Sequence, residues 1–206
     1  MSAMREPAMP FLEPITLRGD RWVTLEPLGP EHEAGLVGAA RDCEPGGLWY
    51  TRVPGPDGVG GFLADALEMQ HKQGALPFAV RRQGDGAVVG TTRFMNVDER
   101  NRRVEIGHTW YARSARRTGV NTETKQLLLT HAFEQLGCIA VEFRTHFFNF
   151  ASRAAIARLG AKQDGVLRNH QLLPDGTLRD TVVFSITAAE WPTVRAHLRW
   201  QLDRPR

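Results

Sequence analysis

A short basic segment near the middle of the chain has the residue types of a phosphate-binding loop. Residues 112–122 read ARSARRTGVNT, with Arg116 and Arg117 close to Gly119. The preceding Val104–Tyr111 is rich in β-branched and aromatic side chains, and the residues from Thr122 onward have a helical pattern. Such a loop points backbone N–H groups outward at a helix N-terminus, where phosphate binds, and arginine forks match phosphate oxygens. The segment predicts a site for a phosphorylated cofactor, with a solvated charged loop as the alternative.

Composition limits the protein class to which the chain can belong. Its 206 residues, of which 42% are hydrophobic, suit one folded domain, and we expect an extension over residues 1–14 followed by a single domain over residues 15–206. The first residues lack the apolar core of a signal peptide and no apolar run is long enough to cross a bilayer, which predicts a cytoplasmic protein without a membrane partner. A net charge of +3 does not indicate direct nucleic-acid binding.

Two cysteines, Cys43 and Cys138, are too few for a disulfide framework, and we expect both thiols to be buried. No spacing of histidine and cysteine suggests a metal site.

The periodicity of apolar residues predicts the elements that must position the loop. Strands are predicted at Ile15–Leu25, Phe78–Arg82, Val88–Val97, Arg103–Tyr111, Ile139–Thr145, Val166–Leu173 and Leu178–Ile186. Helices are predicted at Glu31–Ala40, Phe62–Gln70 and Thr122–Leu136, from Asn149 to Gly160, and along the stripe of Trp191, Val194 and Leu198. Short polar connections make the second to fourth strands an antiparallel meander. The strand, helix, strand unit that follows places the Ile139–Thr145 strand parallel to its predecessor.

Two motifs together make the chain similar to the GCN5-related N-acetyltransferases, within them the branch of ribosomal-protein N-acetyltransferases (RimJ/RimL type). The first motif, a Glu-Ile-Gly strand, an aromatic residue, Arg-x-x-Gly and Thr-Glu, matches Glu105, Ile106, Gly107, Trp110, Arg116, Gly119, Thr122 and Glu123. The second, Asn-x-x-Ser before a helix that ends in glycine, matches Asn149, Ser152 and Gly160. The loop departs from the family pattern at Arg113, Arg117 and Asn121, which predicts a more cationic cradle with more side-chain assistance.

The resemblance implies an α/β (α+β) fold. The sheet would be mixed and mostly antiparallel, with helices on both faces and a splay between the fourth and fifth strands. It also implies acetyl-CoA as the cofactor, with pyrophosphate on the loop and the pantetheine arm in the splay. The cofactor-binding residues that it implies are Thr109, Trp110, Tyr111, Arg116, Arg117, Thr118, Gly119, Val120, Asn121, Thr122, Asn149 and Ser152. Trp49, Tyr50 and Phe94 are predicted to line the acceptor pocket, with Trp22 as a further candidate.

Acetyl transfer to an amine needs a group that removes the amine proton. Glu105 is the first candidate base and His108 the second. Many relatives carry a tyrosine as the acid for the departing thiolate where this chain has Ile156, so Ser152 at a helix start is the candidate acid.

The predicted activity is acetyl transfer from acetyl-CoA to a primary amine, by direct attack in a ternary complex. The acceptor is a protein or peptide N-terminus or a small molecule, and a homodimer is left open. The alternatives are an inactive CoA-binding sensor and a nucleotide-binding protein that uses the same loop.

Overall fold

One mixed sheet of eight strands organises the computed structural model, which describes residues 11–43, 49–51, 53–72 and 74–204. The strands are β1 (Leu17–Arg18), β2 (Val23–Pro27), β3 (Ala75–Arg82), β4 (Val88–Asp98), β5 (Arg103–Tyr111), β6 (Ala140–His146), β7 (Lys162–Leu172) and β8 (Leu178–Thr187). Their spatial order is β1-β2-β3-β4-β5-β6-β8-β7. Neighbouring strands pair antiparallel, with β5 and β6 as the parallel pair within the described residues.

The sheet opens between β5 and β6. Their pairing runs from Arg103 with Ala140 to Glu105 with Glu142. Beyond Glu105, β5 continues to Tyr111 in pairing with β4, while β6 continues to His146 in pairing with β8. The predicted splay between the fourth and fifth strands is therefore present, and it separates β5 from β6 because the short β1 shifts the numbering by one.

Helices cover both faces of this sheet. They are α1 (Glu33–Asp42), α2 (Val59–His71), α3 (Val120–Thr130), α4 (Phe150–Arg158) and α5 (Trp191–Asp203). Thr92 and Arg93 are consecutive on β4 and so point to opposite faces. Thr92 contacts Lys125 of α3 and Arg93 contacts Met69 of α2, which places α3 and α2 on opposite sides of the sheet.

Several predicted boundaries differ from those observed. The strand expected at Ile15–Leu25 is two strands, β1 and β2, joined by a turn. Backbone N–H groups of this turn donate to a carboxylate of α3. The helix expected at Thr122–Leu136 starts at Val120, and its last part is a wider π turn at His131–Gln135. Gly137 and Gly160 follow the ends of α3 and α4 as predicted, with φ of +63° and +100°, angles at which a side chain would be strained.

Both cysteines are buried. Among the helices that the structure describes, none has the length and apolarity needed to cross a membrane.

Candidate active site

The basic loop makes a tight entry into α3. After a 3₁₀ turn at Arg113–Ala115, Arg117 takes a left-handed conformation with φ of +59°, and α3 starts at Val120. The Thr118 hydroxyl donates to the Ala115 carbonyl at 2.6 Å and accepts the Val120 N–H at 3.2 Å. The first N–H groups of a helix have no acceptor inside that helix, so the start of α3 presents donors to a ligand.

A buried carboxylate fixes this loop against the start of the chain. Glu123, in the first turn of α3, accepts the backbone N–H groups of Arg21, Trp22 and Val23 at 3.1, 2.7 and 2.7 Å. The ring of Trp22 lies so close to Gly119 that a Cβ there would meet it at 2.3 Å. The loop therefore needs glycine at this position because an aromatic ring, and not the cofactor, occupies the space. Trp22 was a candidate for the acceptor pocket, and that prediction is wrong.

The two arginines of the loop point in different directions. Arg116 donates to the Cys43 sulfur at 2.8 Å and to the Tyr111 carbonyl at 3.4 Å, so its guanidinium packs against the end of α1. Arg117 is exposed beside the start of α3. In this conformation Arg117 is the better placed of the two to meet a phosphate.

A β-bulge interrupts β5 just before the loop. Thr91 on β4 faces Trp110, but Arg93 faces Gly107, so an extra residue of β5 is accommodated between them. His108 lies there with φ of +47°, an angle rarely adopted by residues other than glycine. The bulge changes which side chains of β5 point to each face.

A buried lysine lies under this bulge. Lys125 of α3 donates to the hydroxyls of Thr109 and Thr92 at 2.7 and 3.1 Å, and these hydroxyls are 2.8 Å apart. Burial lowers the pKa of Lys125 to about 7, because the ammonium loses its hydration. Nothing in the sequence pattern of α3 predicted this contact.

The candidate base Glu105 is buried at the closed end of the splay. Its side chain accepts from the Asn96 amide at 2.7 Å and lies 3.4 Å from Arg144 Nε. Burial raises the pKa of Glu105 above its ordinary value, while Asn96 and Arg144 act in the opposite direction. Burial is the largest of these effects, and a raised pKa suits a carboxylate that must accept a proton near neutral pH. The ion pair with Arg144 offers a structural role for Glu105 as an alternative to catalysis.

We call one surface of the sheet the polar face; it carries Glu105, Glu142, Arg144 and His146. Glu105 and Glu142 are direct partners across β5 and β6, and alternate residues of β6 point the same way. Arg144 donates to Glu142 at 2.9 Å, and Arg103 also pairs with Glu142. The splay therefore opens onto a charged surface.

The start of α4 follows the end of β6 along the chain. Asn149 Oδ1 accepts the Ser152 N–H at 3.0 Å, which confirms Asn149 as the N-cap. The Arg153 N–H donates to the Asn149 carbonyl at 2.9 Å. Among the described residues no partner of the Ser152 hydroxyl is found, which leaves it available as a proton donor. Ile156 packs against the core.

An aromatic cluster surrounds His146 at the end of β6. The rings of Trp49, Tyr50 and Phe148 lie 5.0, 5.6 and 5.8 Å from the His146 ring. His146 Nδ1 accepts the Phe148 N–H at 3.1 Å, and Nε2 is buried with no hydrogen-bond partner in the described part of the chain. Burial lowers the pKa of His146, which favours the neutral ring. The sequence gives His146 no role, because Trp49 and Tyr50 are almost 100 residues away along the chain.

Two other expectations about aromatic residues change. Phe94 is 0% exposed and packs between Phe78 and His131 in the core, so the prediction that it lines an acceptor pocket is wrong. Trp110 is buried against Phe62 of α2, so only its backbone can face the splay. Trp49 and Tyr50 do lie together beside the polar face.

The remaining cofactor residues lie around the loop as expected, although their roles stay predictions. Val120 and Thr122 are buried, Asn121 is half-buried, and the Thr122 hydroxyl accepts from Arg158 at 3.3 Å. The Tyr111 hydroxyl is buried, which raises its pKa and makes it a poor acid at neutral pH.

Comparison with known proteins adds independent findings. The profile of the acetyltransferase (GNAT) domain matches residues 23–162. The Bacillus subtilis protein named "Putative ribosomal N-acetyltransferase YdaF" is 34% identical over 107 residues, or 52% of this chain and 57% of that protein. The chain therefore spans just over half the length of this curated relative.

Solved structures are similar over nearly the whole chain. A GCN5-related N-acetyltransferase from Brucella melitensis is 28% identical with a TM-score of 0.84, covering 96% of this chain and 90% of that one. Mycobacterium smegmatis RimJ in complex with CoA-disulfide is 24% identical with a TM-score of 0.73, covering 92% of this chain and 95% of that one. At that identity the RimJ match speaks for the fold alone.

Proposed function

The chain belongs to the GNAT acetyltransferase family, and we propose that it transfers the acetyl group of acetyl-CoA to a primary amine by direct attack in a ternary complex. The observation that carries the proposal is the alignment of three features along one strand. The unpaired part of β5 faces the splay, the N–H groups at the start of α3 follow it, and the buried carboxylate of Glu105 lies where the splay closes.

The residues present fit acetyl-CoA in charge and in hydrogen-bonding capacity. The first turn of α3 and the exposed Arg117 supply donors and positive charge for a pyrophosphate. The β5 backbone beyond Glu105 has lost its β6 partner, so it offers strand-type hydrogen bonds to an extended amide chain such as pantetheine. Bound acetyl-CoA supplies the activated acetyl group.

The chain's own residues then handle the protons. Glu105 accepts the proton of the incoming amine, directly or through a water, and its raised pKa brings it closer to that of the amine. The Ser152 hydroxyl, at the N-terminus of α4, supplies the proton for the departing thiolate, where the helix dipole also favours negative charge. His108 is the second candidate base.

Thiol release from acetyl-CoA in the presence of primary amines tests the activity. We expect Glu105→Gln to lower the rate about 10²-fold to 10⁴-fold, the usual contribution of a positioned base, and to change the pH profile. Glu99→Gln, in the exposed β4–β5 turn, is the matched control. Full rate at every pH in Glu105→Gln contradicts the assignment of Glu105.

An inactive CoA-binding module is the second candidate, supported by the core position of Ile156 where many relatives carry the acid. It predicts thermal stabilisation by CoA without thiol release from any amine. Stabilisation by ATP equal to that by CoA would instead favour a nucleotide-binding protein.

The finer assignments are also proposals. The relative from Bacillus subtilis is named as a putative ribosomal N-acetyltransferase, which supports a protein N-terminus as acceptor, alongside small amines. The cytoplasmic location and a homodimer are proposed as well, the latter to be checked by light scattering.

A further inference from the structure

A pocket of about 530 Å³ lies between α2 and the bulge of β5. Phe62 and Met69 of α2, Arg93 of β4 and His108 of the bulge are among its lining residues. None of the motifs that identify the family includes Arg93, and of these four lining residues the proposed acetyl transfer uses only His108, as the second candidate base.

Arg93 is a buried cation with no anionic side chain in contact among the residues that the structure describes. The residue is 2% exposed, and its Nη1 donates to the Met69 sulfur at 3.3 Å. The guanidinium lies 5.3 Å from the Phe62 ring centroid, and Nε is buried with no hydrogen-bond partner in the described ranges. A thioether and a ring face are weak partners for a guanidinium with five donors. Burial lowers the pKa of Arg93 to about 10, so the group is still charged at neutral pH.

Nearby charges leave this cation available. Lys72 and Glu68, at the rim, form an exposed ion pair with each other at 2.5 Å. Asp65 also lines the pocket and raises the pKa of Arg93, but it is exposed and forms no ion pair with Arg93 within 4 Å among the described residues. Buried unpaired charges are costly and are usually matched by a ligand or a water.

The pocket lies on the same side of the sheet as the candidate base. Arg93 faces Gly107 and Met95 faces Glu105 across β4 and β5, and residues directly opposite each other share a face. Arg93 and Glu105 are therefore diagonal neighbours across the strand pair, and the Cα atoms of such neighbours are about 7–8 Å apart. A ligand held by Arg93 can therefore extend along this face towards Glu105.

We propose that Arg93 binds a carboxylate of the acceptor, so that the enzyme acts on primary amines that carry a carboxylate a few bonds from the nitrogen. This inference rests on the proposed acetyl transfer and narrows its acceptor class. Two kinds of acceptor carry such a carboxylate. One is a free amino acid, with its α-carboxylate, and the other is a peptide whose N-terminal residue has an acidic side chain.

Matched pairs of acceptors test the proposal. Glycine is compared with glycinamide, and an N-terminal aspartyl peptide with its asparaginyl counterpart, by kcat/KM in the thiol-release assay. We expect the wild-type protein to prefer the carboxylate in at least one pair by about 10-fold to 100-fold, the range for a lost charge-assisted hydrogen bond. The pair that shows the preference identifies the source.

Arg93→Met should reduce that preference to about one, while Arg41→Met, on the exposed side of α1, should keep it. Met is apolar and of similar length, so it removes the buried charge without leaving a large cavity. Asp65→Asn, at the exposed rim, should increase the preference because a competing negative charge is lost, and it keeps the test valid if Arg93→Met does not fold.

Binding of N-acetylglycine, compared with N-acetylglycinamide, separates this inference from the proposed function. Selective thermal stabilisation by the acid, lost in Arg93→Met, supports the carboxylate site even if no amine is acetylated. Acetyl transfer without a carboxylate preference in either pair overturns the site and leaves the proposed function standing. A preference that Arg93→Met retains also overturns it.

Discussion

Replacing Lys125 with methionine should raise the stability of the protein at neutral pH and change how that stability depends on pH. The ammonium is fully buried beneath the β5 bulge, where two threonine hydroxyls accept its hydrogen bonds. Met fills a similar volume, and the Thr92 and Thr109 hydroxyls, 2.8 Å apart, remain hydrogen-bonded to each other. The variant therefore removes a desolvated charge without leaving both hydroxyls unsatisfied.

The pKa gives the expected magnitude. Burial lowers the pKa of Lys125 from 10.5 to about 7. At about 1.4 kcal/mol per pKa unit, the charged lysine costs the folded state up to about 5 kcal/mol at or below pH 7. Between pH 7 and 10.5 the unfolded state binds the proton and the folded state does not, so the wild-type free energy of unfolding rises with pH across this window.

Urea unfolding at pH 7, 8 and 9, without cofactor, measures this effect. The stability advantage of Lys125→Met should be largest at pH 7 and fall by up to about 1.4 kcal/mol per pH unit. Lys162→Met is the control, because Lys162 is 76% exposed and its ion pair with Glu190 is worth less than about 1 kcal/mol. An advantage of the same size at all three pH values would show that Lys125 is not a desolvated cation.

Three further variants test the parts of the site that the fold holds in place. Glu123→Ala should lower the free energy of unfolding by about 2–4 kcal/mol in a urea titration, because three backbone N–H groups lose a charged acceptor; a loss below about 1 kcal/mol would contradict the anchor. Arg117→Gly should raise the unfolding midpoint, since it removes backbone strain of about 1 kcal/mol at φ of +59°. The same variant should weaken CoA binding in a calorimetric titration. Tighter binding would contradict the assignment of Arg117 to the phosphate site. His146→Phe should lose less stability than the wild type as the pH falls below 6.5. Burial lowers the pKa of His146 in the folded state, so protonation of this ring favours the unfolded chain. Identical dependence of stability on acid pH in both proteins would contradict the burial of His146 as a neutral ring.

Local chemistry made a large part of the fold predictable. Asn149 caps α4 through its side chain, the Pro174-Asp175-Gly176 turn joins β7 to β8, and the unit from β5 through α3 to β6 is parallel. Each of these depends on residues close together in sequence, or on the way in which a helix must connect two strands.

The face to which each side chain of β4 and β5 points could not be predicted in the same way. The bulge at His108 exists only in the pairing of two strands, and it shifts the alternation of side chains along β5. Phe94 of β4 was expected beside the acceptor because it is aromatic, while the structure buries it with Phe78. The burial of Arg93 depends on the packing of α2 against β4, which the sequence pattern of β4 does not indicate.

Long-range polar contacts could not be predicted from the sequence either. Glu123 belongs to a family motif, but nothing local indicates that its partners are the N–H groups of the β1–β2 turn. Lys125 looks like an ordinary polar residue of a helix until α3 is packed against β4 and β5. Only the tertiary arrangement shows which charged groups lose water.

The Glu123 anchor links the proposed binding of acetyl-CoA to the folding of the chain. Its carboxylate and the Val23 N–H are 100 positions apart in sequence, so the loop before α3 acquires its shape only after the two ends of this long segment have met. Contacts of such high sequence separation slow folding, because the entropy of closing the long segment between them is lost first. A ligand that recognises the finished loop thus binds the completed domain and stabilises it as a whole. During synthesis or refolding, competence to bind the cofactor would appear only when β2 docks against the start of α3.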